Sequence, residues 1–199
     1  MIIGLTGGIA TGKSTVAGLL RESGLQVLSA DELAHQVIEP GGPAYDAVVR
    51  EFGPEIVKAD RSINRKALGR VVFRDPERLR KLESLVHPPV IMAIAAAIDE
   101  YRRSGSGEPF VVEVPLLFEA GLDILFDRVL VVSASLEVQR HRLRERDGLS
   151  DAEIEKRIAS QMPLAEKEAR ADYVIFNNGN LDDLRRQTVD FLQSLEDES

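Results

Sequence analysis

The sequence predicts an α/β fold in which short parallel strands are flanked by helices. The first observation is an apolar run over residues 2–5, which ends in glycines and precedes helical spacing of Val16, Leu19 and Leu20. The second is that four further short apolar runs are separated by helical patterns, an order typical of α/β domains. With 199 residues, 44% of them hydrophobic, the chain suits one such domain, with room for a small inserted subdomain.

The composition excludes several classes of protein. There are no cysteines, which rules out disulfides, thiolate metal sites and a cysteine nucleophile. No signal-like segment opens the sequence, and its longest apolar stretch, residues 90–98, is too short to span a bilayer. The net charge of −8 argues against a nucleic-acid surface, because such a surface needs a broad basic face. We therefore expect a cytoplasmic protein that binds neither membrane nor nucleic acid.

The junction between the first strand and the first helix carries a phosphate-binding motif, Gly7-x-x-x-x-Gly12-Lys13-Ser14. Glycines let successive backbone N–H groups converge on phosphate oxygens, and the following helix directs its positive end toward them. Lys13 is expected to reach the β- and γ-phosphates, and the Ser14 hydroxyl to ligate Mg²⁺. The loop residues predicted to bind the nucleotide are Gly7, Gly8, Ala10, Thr11, Gly12, Lys13, Ser14 and Thr15.

The second strand is predicted over residues 26–29, and a helix begins at Ala30. Asp31 lies near the N-terminal end of this helix, and His35, four residues later, shares its face. An N-cap or first-turn acid is a common role for aspartate. In a parallel sheet with a phosphate loop, however, the carboxyl end of the second strand also faces the ligand. Both roles are therefore open for Asp31.

The middle of the chain is predicted to be helical. Helical patterns cover residues 44–52, residues 64–73 with Asn64 as the cap, and a long stretch from residue 75 onward. We expect the long helix to break or kink at His87-Pro88-Pro89, because consecutive prolines remove donors and clash with the preceding turn. A histidine at this break could be a local cap, a packed neutral ring or a functional group.

The third strand is predicted over residues 110–114, an apolar run interrupted by Glu113. A carboxylate at the end of such a strand is a candidate partner of Mg²⁺, directly or through another group. The segment that follows consists of Pro115, Leu116, Leu117 and Phe118. Its large apolar side chains would normally be core, but after a strand end they could equally wall a pocket for an apolar part of a substrate.

The fourth strand, over residues 128–132, precedes the densest positive stretch of this acidic chain, residues 139–148. The stretch has arginines and no lysine, which favours bidentate phosphate contacts over a solvated helix face. We interpret residues 139–166 as an arginine-bearing lid over the triphosphate, with a plain surface helix as the alternative. A fifth strand over residues 173–176 ends in asparagines, which could contact an adenine edge or form a tight turn. The closing helix is amphipathic.

Taken together, these segments resemble the dephospho-coenzyme A kinase family over nearly the whole chain. The resemblance rests on Ile3 to Gly8 leading into the phosphate loop, Ala30-Asp31 with His35, Leu82-Glu83 with His87-Pro88, Pro115 to Glu119, Arg140 to Gly148, Gln161, Ala171-Asp172 and Asn177-Asn178-Gly179. Members of this family transfer the γ-phosphoryl group of ATP to the 3′-hydroxyl of the ribose in dephospho-CoA, the last step of coenzyme A biosynthesis.

The resemblance implies a P-loop NTPase three-layer fold, similar to that of nucleoside monophosphate kinases, with a five-stranded parallel sheet, a lid and a helical acceptor-binding region. It implies a core over about residues 1–30, 108–138 and 170–199, an acceptor-binding region over about 31–107, and a lid over about 139–166. ATP and Mg²⁺ would be the cofactors and dephospho-CoA the small-molecule partner. We expect a monomer or a weak homo-oligomer.

The resemblance also implies roles for individual residues. Asp31 becomes the candidate base for the 3′-hydroxyl, and the other catalytic candidates are Lys13 and Arg140. The residues expected around the acceptor are Asp31, His35, His87, Arg140 and the segment Pro115, Leu116, Leu117 and Phe118. Further contacts to ATP are expected from Arg142, Arg146 and Asn177, and Arg140 with Arg146 would face phosphates. The chain departs from the common pattern at Ala10, where many members have glycine, and at Glu113, where many have aspartate or an apolar residue.

Two other functions would use the same phosphate loop. Another small-molecule kinase, acting on a nucleoside monophosphate or on shikimate, is the alternative among enzymes. A nucleotide-dependent switch is the alternative among binding proteins. The sequence contains neither an Asn-Lys-x-Asp guanine motif nor an Asp-x-x-Gly switch motif, which argues against the switch.

Overall fold

A computed structural model describes residues 1–197, with the backbone alone for the last two of them. Residues 198 and 199, which belong to the predicted core, lie outside the described residues. The chain forms two compact units. Met1–Leu28 and the chain from Gly105 onward make up the first unit, and Ser29–Ser104 make up the second.

A five-stranded sheet has the strand order β2-β3-β1-β4-β5. The strands are β1 (Ile2–Gly7), β2 (Gln26–Ser29), β3 (Phe110–Glu113), β4 (Arg128–Ser133) and β5 (Tyr173–Phe176). β1 pairs in parallel with β3 and with β4, and β4 pairs in parallel with β5. The five predicted strands are therefore confirmed, as is the parallel α/β fold.

The helices are α1 (Lys13–Glu22), α2 (Ala30–Gln36), α3 (Tyr45–Phe52), α4 (Arg65–Val72), α5 (Pro76–Ser104), α6 (Leu136–Asp147), α7 (Asp151–Ala159), α8 (Leu164–Ala169) and α9 (Leu181–Asp197). Two short 3-10 turns cover Pro54–Ile56 and Asp123–Leu125. The predicted cap of the fourth helix is confirmed, because the Asn64 side chain accepts a hydrogen bond from the Ala67 backbone N–H at 3.1 Å.

The core of the first unit lies between the sheet and the pair α1 and α9. Leu5 on β1 and Leu130 on β4 are fully buried, as is Leu20 on α1. Phe191 on α9 meets the Tyr173 ring edge-on, with ring centroids 5.1 Å apart. The amphipathic spacing predicted for the closing helix thus provides one wall of the core.

The second unit is helical, and α5 packs there against α2, α3 and α4. Val90, Ile94 and Ile98 are among the buried residues of α5. By length and composition, α5 is the one helix within residues 1–197 that could cross a membrane, with a mean hydropathy of 1.4 over its most apolar window. That window is 17% buried, α5 packs against three helices of its own unit, and a single helix of this kind is weak evidence for a membrane span.

Of the break or kink predicted at the two prolines, the break is wrong, and the kink stays a prediction. α5 runs as one uninterrupted α-helix from Pro76 to Ser104, with Pro88 and Pro89 inside it. Each proline removes one backbone hydrogen-bond donor, which disfavours the helix locally. The apolar residues of α5 after Pro89 become buried only if the helix continues past the prolines, and the free energy of that packing outweighs the local preference. His87 is consequently an exposed residue within a helix, not a cap at a helix end.

Candidate active site

The phosphate loop joins β1 to α1, and its conformation depends on Gly12. This glycine has a φ of +97°, and a Cβ at this position would lie 2.2 Å from Asn177 Nδ2. Ala10 also adopts the left-handed region, with a φ of +57°, although it is not glycine. Such a conformation costs an alanine roughly 1 kcal/mol, which explains why glycine would be the more common residue there.

Two side chains of the loop are directed at its own backbone. The buried Thr11 donates its hydroxyl to the Gly8 carbonyl at 3.0 Å, and Lys13 Nζ donates to the same carbonyl at 3.2 Å. The Lys13 ammonium is therefore held at the loop that the motif assigns to phosphates. Thr11 stabilises the turn through its side chain and would contact a nucleotide only through its backbone.

Ser14 and Glu113 form the candidate magnesium site. The parallel register pairs Leu5 with Glu113, which brings the end of β3 beside the loop. Ser14 Oγ donates to Glu113 Oε1 at 3.0 Å, and Glu113 is buried. Hydroxyl and carboxylate oxygens are suitable ligands for Mg²⁺. No cluster of three or more histidine, aspartate or glutamate ligands occurs within residues 1–195, where side chains are described.

Arg142 on α6 connects the loop with the residues after β5. Its Nη1 donates to the carbonyls of Ala10 and Thr11, each at 3.2 Å, and its Nη2 donates to the carbonyl of Asn177 at 3.1 Å. Asn177 Nδ2 adds a bond to the Thr11 carbonyl at 2.8 Å. Burial lowers the pKa of the Arg142 guanidinium, which nevertheless stays charged near neutral pH. These bonds fix the loop against α6.

A cavity of about 590 Å³ lies beside this network. It brings together six of the predicted ATP contacts: Ala10, Gly12, Thr15, Arg142, Arg146 and Asn177. Of its other lining residues, sequence reasoning missed His141, Glu145, Leu181 and Leu184. His141 and Glu145 are four residues apart, as are Arg142 and Arg146. This spacing could have indicated that the four side chains lie on one side of α6. With a charged side and an apolar side, the cavity suits a nucleoside.

The other arginines of α6 are engaged by acidic side chains. Arg140 makes a bidentate pair with Glu155 of α7, at 2.6 and 3.1 Å, and both side chains are exposed. Arg146 pairs with Asp147 at 2.8 Å, and Arg157 of α7 reaches the same carboxylate at 3.2 Å. These hydrogen bonds raise the pKa of both Arg140 and Arg146. The pairs connect α6 to α7, and phosphate contacts by these arginines stay a prediction.

Asp31 is not the residue that caps α2. The N-cap is Ser29, whose hydroxyl accepts from the Glu32 backbone N–H at 3.5 Å. Asp31 lies exposed in the first turn, where its charge suits the helix dipole, and His35 in the last turn is half-buried. The structure thus places both residues on α2 and His87 on α5, all within the second unit.

The segment after β3 is mostly core. Leu117 is fully buried, and its side chain lies against Gly4. Phe118 is nearly as buried, with the Arg170 guanidinium 4.4 Å above its ring. Leu116 is 38% exposed and can meet a ligand without repacking.

Lys167 is a buried charge that sequence reasoning missed. Its Nζ lies 2.7 Å from Glu119 Oε1, and its side chain has no exposed surface. Glu119 also accepts from the Met162 backbone N–H at 3.0 Å. Burial opposes the charge of Glu119, but hydrogen bonds, above all from Lys167, hold the pKa of this carboxyl below its ordinary value. The sequence around Lys167, with a glutamate on each side, is typical of an exposed helix and carries no local signal.

Comparison with known proteins identifies the family. A family model for dephospho-CoA kinase matches residues 1–183. A dephospho-CoA kinase of Symbiobacterium thermophilum is 51% identical over 186 residues, covering 94% of this chain and 77% of that protein. One of Geobacillus kaustophilus is 46% identical, covering 97% of this chain and 96% of that protein. The solved structure of a dephospho-CoA kinase from Campylobacter jejuni is 29% identical and matches with a TM-score of 0.74. The match covers 98% of this chain and 96% of the Campylobacter jejuni chain. The chain belongs to the dephospho-CoA kinase family.

Proposed function

We propose that this enzyme transfers the γ-phosphoryl group of ATP to the 3′-hydroxyl of the ribose in dephospho-CoA, which gives coenzyme A and ADP. The reaction breaks the bond between the γ-phosphorus and the β–γ bridging oxygen and forms a bond to the ribose oxygen. The hydroxyl proton passes to a base on the enzyme. The observation that carries this proposal is the phosphate loop, with Lys13 and the Ser14–Glu113 pair, beside a nucleoside-sized cavity in a chain of this family.

The triphosphate would lie on the loop at the N-terminus of α1, where backbone N–H groups and the helix dipole attract negative charge. Lys13 would exchange its bond to the Gly8 carbonyl for the phosphates, and so stabilise charge in the transition state. The base and ribose of ATP would occupy the cavity beside Arg142 and Asn177. Arg142 presents a guanidinium plane already fixed by three carbonyls, which suits stacking on a base.

Ser14 and Glu113 would hold Mg²⁺, Ser14 by its hydroxyl and Glu113 directly or through a water molecule. When bound there, the ion would neutralise charge on the β- and γ-phosphates. The buried position of Glu113 keeps its carboxylate directed at Ser14.

Asp31 would accept the proton of the acceptor hydroxyl. It follows the carboxyl end of β2 by two residues, and ligands of parallel sheets bind at carboxyl ends of strands. Because Ser29 already caps α2, the exposed Asp31 carboxylate is not committed to capping. We further propose that His35, His87 and Arg140 contact the acceptor and that Arg146 contacts phosphate. The enzyme would act in the cytoplasm as a monomer or weak homo-oligomer, without membrane or nucleic-acid partners.

An acceptor panel tests this function. The purified full chain is incubated with Mg-ATP and dephospho-CoA, AMP or shikimate, and ADP release is followed. We expect dephospho-CoA to have the highest specificity constant, because binding energy from its remote parts assists transfer at the hydroxyl. A specificity constant for AMP or shikimate equal to that for dephospho-CoA would identify another small-molecule kinase.

A further inference from the structure

A second cavity in the first unit, of about 610 Å³, has no role in the function proposed so far. Its walls come from residues 8 and 9 of the phosphate loop, from the start of α6, and from the segment between the end of α7 and α8. Gly8 and Ile9 therefore belong to the phosphate loop and also line this cavity. A ligand part held here would lie next to the site of phosphoryl transfer.

The cavity is aliphatic. Its large lining side chains are Ile9, Leu136, Ile158, Met162, Pro163 and Leu164. Among the lining residues in the described part of the chain, none is a lysine or arginine and none is aromatic. The charged residue that lines it is Glu168, whose carboxylate accepts the Ser133 hydroxyl. The lining thus repels phosphate and lacks the aromatic faces on which bases commonly stack.

One of the residues that line this cavity, Gln161, has a side-chain atom without a hydrogen-bond partner among residues 1–195. Gln161 Oε1 is buried, and no donor within residues 1–195, where side chains are described, bonds to it. The other glutamine of the lining, Gln139, differs because its Nε2 already donates to the Ala134 carbonyl at 2.9 Å. A buried acceptor without a donor is costly, so Gln161 would gain by turning its Oε1 toward a ligand N–H held in the cavity. The lining suits an aliphatic ligand, and Gln161 suits one that also carries a hydrogen-bond donor such as an amide N–H.

We propose that this cavity binds the pantetheine arm of the acceptor and that an amide N–H of the arm donates to Gln161 Oε1. The proposal rests on the proposed function, because dephospho-CoA supplies the arm. Of the parts of that molecule, the arm is the uncharged aliphatic chain with amide donors, whereas the remainder is a base, a ribose and a charged diphosphate. The arm would thus occupy a cavity that no phosphate enters.

This assignment moves the apolar subsite away from the segment Pro115 to Phe118. Leu117 and Phe118 are buried and packed against their own unit, so they offer little surface to a ligand. The segment is nevertheless connected to the cavity wall, because Glu119 accepts the Met162 backbone N–H and pairs with Lys167. It would hold that wall in place without contacting the arm.

The test compares three acceptors at saturating Mg-ATP. They are dephospho-CoA, its analogue with hypoxanthine in place of adenine, and the β-phosphate methyl ester of ADP, which keeps the adenosine and diphosphate but lacks the arm. The variants are Gln161→Leu, which removes the acceptor atom at similar volume, and Ile158→Ala, which shortens the aliphatic wall. Their matched controls are Gln193→Leu on the exposed surface of α9 and Ile124→Ala, a side chain that is 86% exposed.

For Gln161→Leu we expect kcat/KM for dephospho-CoA and for the hypoxanthine analogue to fall by about 3- to 10-fold, the value of one hydrogen bond. The kcat/KM of Gln161→Leu for the methyl ester should equal that of the wild type. Ile158→Ala should likewise lose kcat/KM for the two acceptors that carry the arm and keep it for the methyl ester. An equal loss on all three acceptors in a variant with a wild-type melting curve would overturn the proposal, as would wild-type kinetics on all three. Loss of discrimination between adenine and hypoxanthine would instead place the base in the cavity. Failure of the wild type to phosphorylate dephospho-CoA at all would contradict the function itself, which the variants do not test.

Discussion

The Ser14 hydroxyl donates a hydrogen bond to Glu113 Oε1 across 3.0 Å, which joins the first turn of α1 to the last residue of β3. The bond depends on parallel pairing, because the register that sets Leu5 opposite Glu113 also brings the strand end to the loop. A motif residue and a buried carboxylate 99 positions later thereby form one oxygen-rich site.

Glu113→Gln should raise the Mg²⁺ concentration needed for half-maximal turnover by about 10-fold. The substitution keeps the shape of the side chain but removes the charge that attracts the ion or orients its ligands, and losses of this size are typical of such partners. Turnover is titrated with Mg²⁺ at fixed ATP. Glu108→Gln, at an exposed glutamate shortly before β3, is the control. Identical magnesium curves for the two variants would remove Glu113 from the magnesium site.

Arg140→Ala and Arg146→Ala should each lower kcat/KM by 10-fold or more, because a charged contact to phosphate is worth about 1.5–3 kcal/mol. If these arginines form only their pairs with Glu155 and Asp147, the exposed positions predict almost unchanged stability and wild-type kinetics. Steady-state kinetics and thermal melts are measured on both variants, with the exposed Arg185→Ala as the control. Wild-type kinetics in both variants would show that α6 is a plain surface helix and not part of a phosphate-binding lid.

The Glu119–Lys167 pair predicts a pH-dependent stability. The pKa of Glu119 in the folded protein lies below its ordinary value of 4.5, so the stabilisation is complete above that value and is lost as the pH falls through the lower folded pKa. Glu119→Gln leaves Lys167 buried without its carboxylate and should cost about 3 kcal/mol at pH 7. The difference in Tm between wild type and variant should shrink below about pH 4.5.

Glu166→Gln changes an exposed glutamate next to Lys167 and provides the control for that measurement. It should melt like the wild type at every pH. A Tm difference for Glu119→Gln that is constant from pH 7 to pH 3.5 would show that its carboxylate charge does not stabilise the fold.

Asp31→Asn should reduce turnover by roughly 10²–10⁴-fold, the usual contribution of a general base. ATP affinity should stay close to that of the wild type, because the phosphate loop holds the nucleotide without Asp31. Turnover and an independent ATP titration are measured on the same variant, with Glu32→Gln, the neighbouring exposed acid on α2, as the control. Near wild-type turnover would leave Asp31 as a first-turn acid of α2 and place the base elsewhere.

Local patterns predicted most of the fold and part of the site. Periodicity located all five strands, and the motif fixed the loop because phosphate binding requires glycine, lysine and serine at set positions. The uninterrupted α5 was not predictable, since local proline chemistry was overruled by packing that only the folded chain provides. Lys167 and the two cavities depend on side chains far apart in sequence, and their residue types are individually ordinary.

The central claim is that the acceptor is the 3′-hydroxyl of dephospho-CoA, and the position of the transferred phosphate tests it most directly. The full-length enzyme is incubated with Mg-ATP and dephospho-CoA, and the product is compared with authentic coenzyme A by mass and by phosphorus NMR. We expect one added phosphate, on the 3′-oxygen, with one ADP released per product molecule. Phosphate on another oxygen, or no product from dephospho-CoA while AMP or shikimate is phosphorylated, would contradict it.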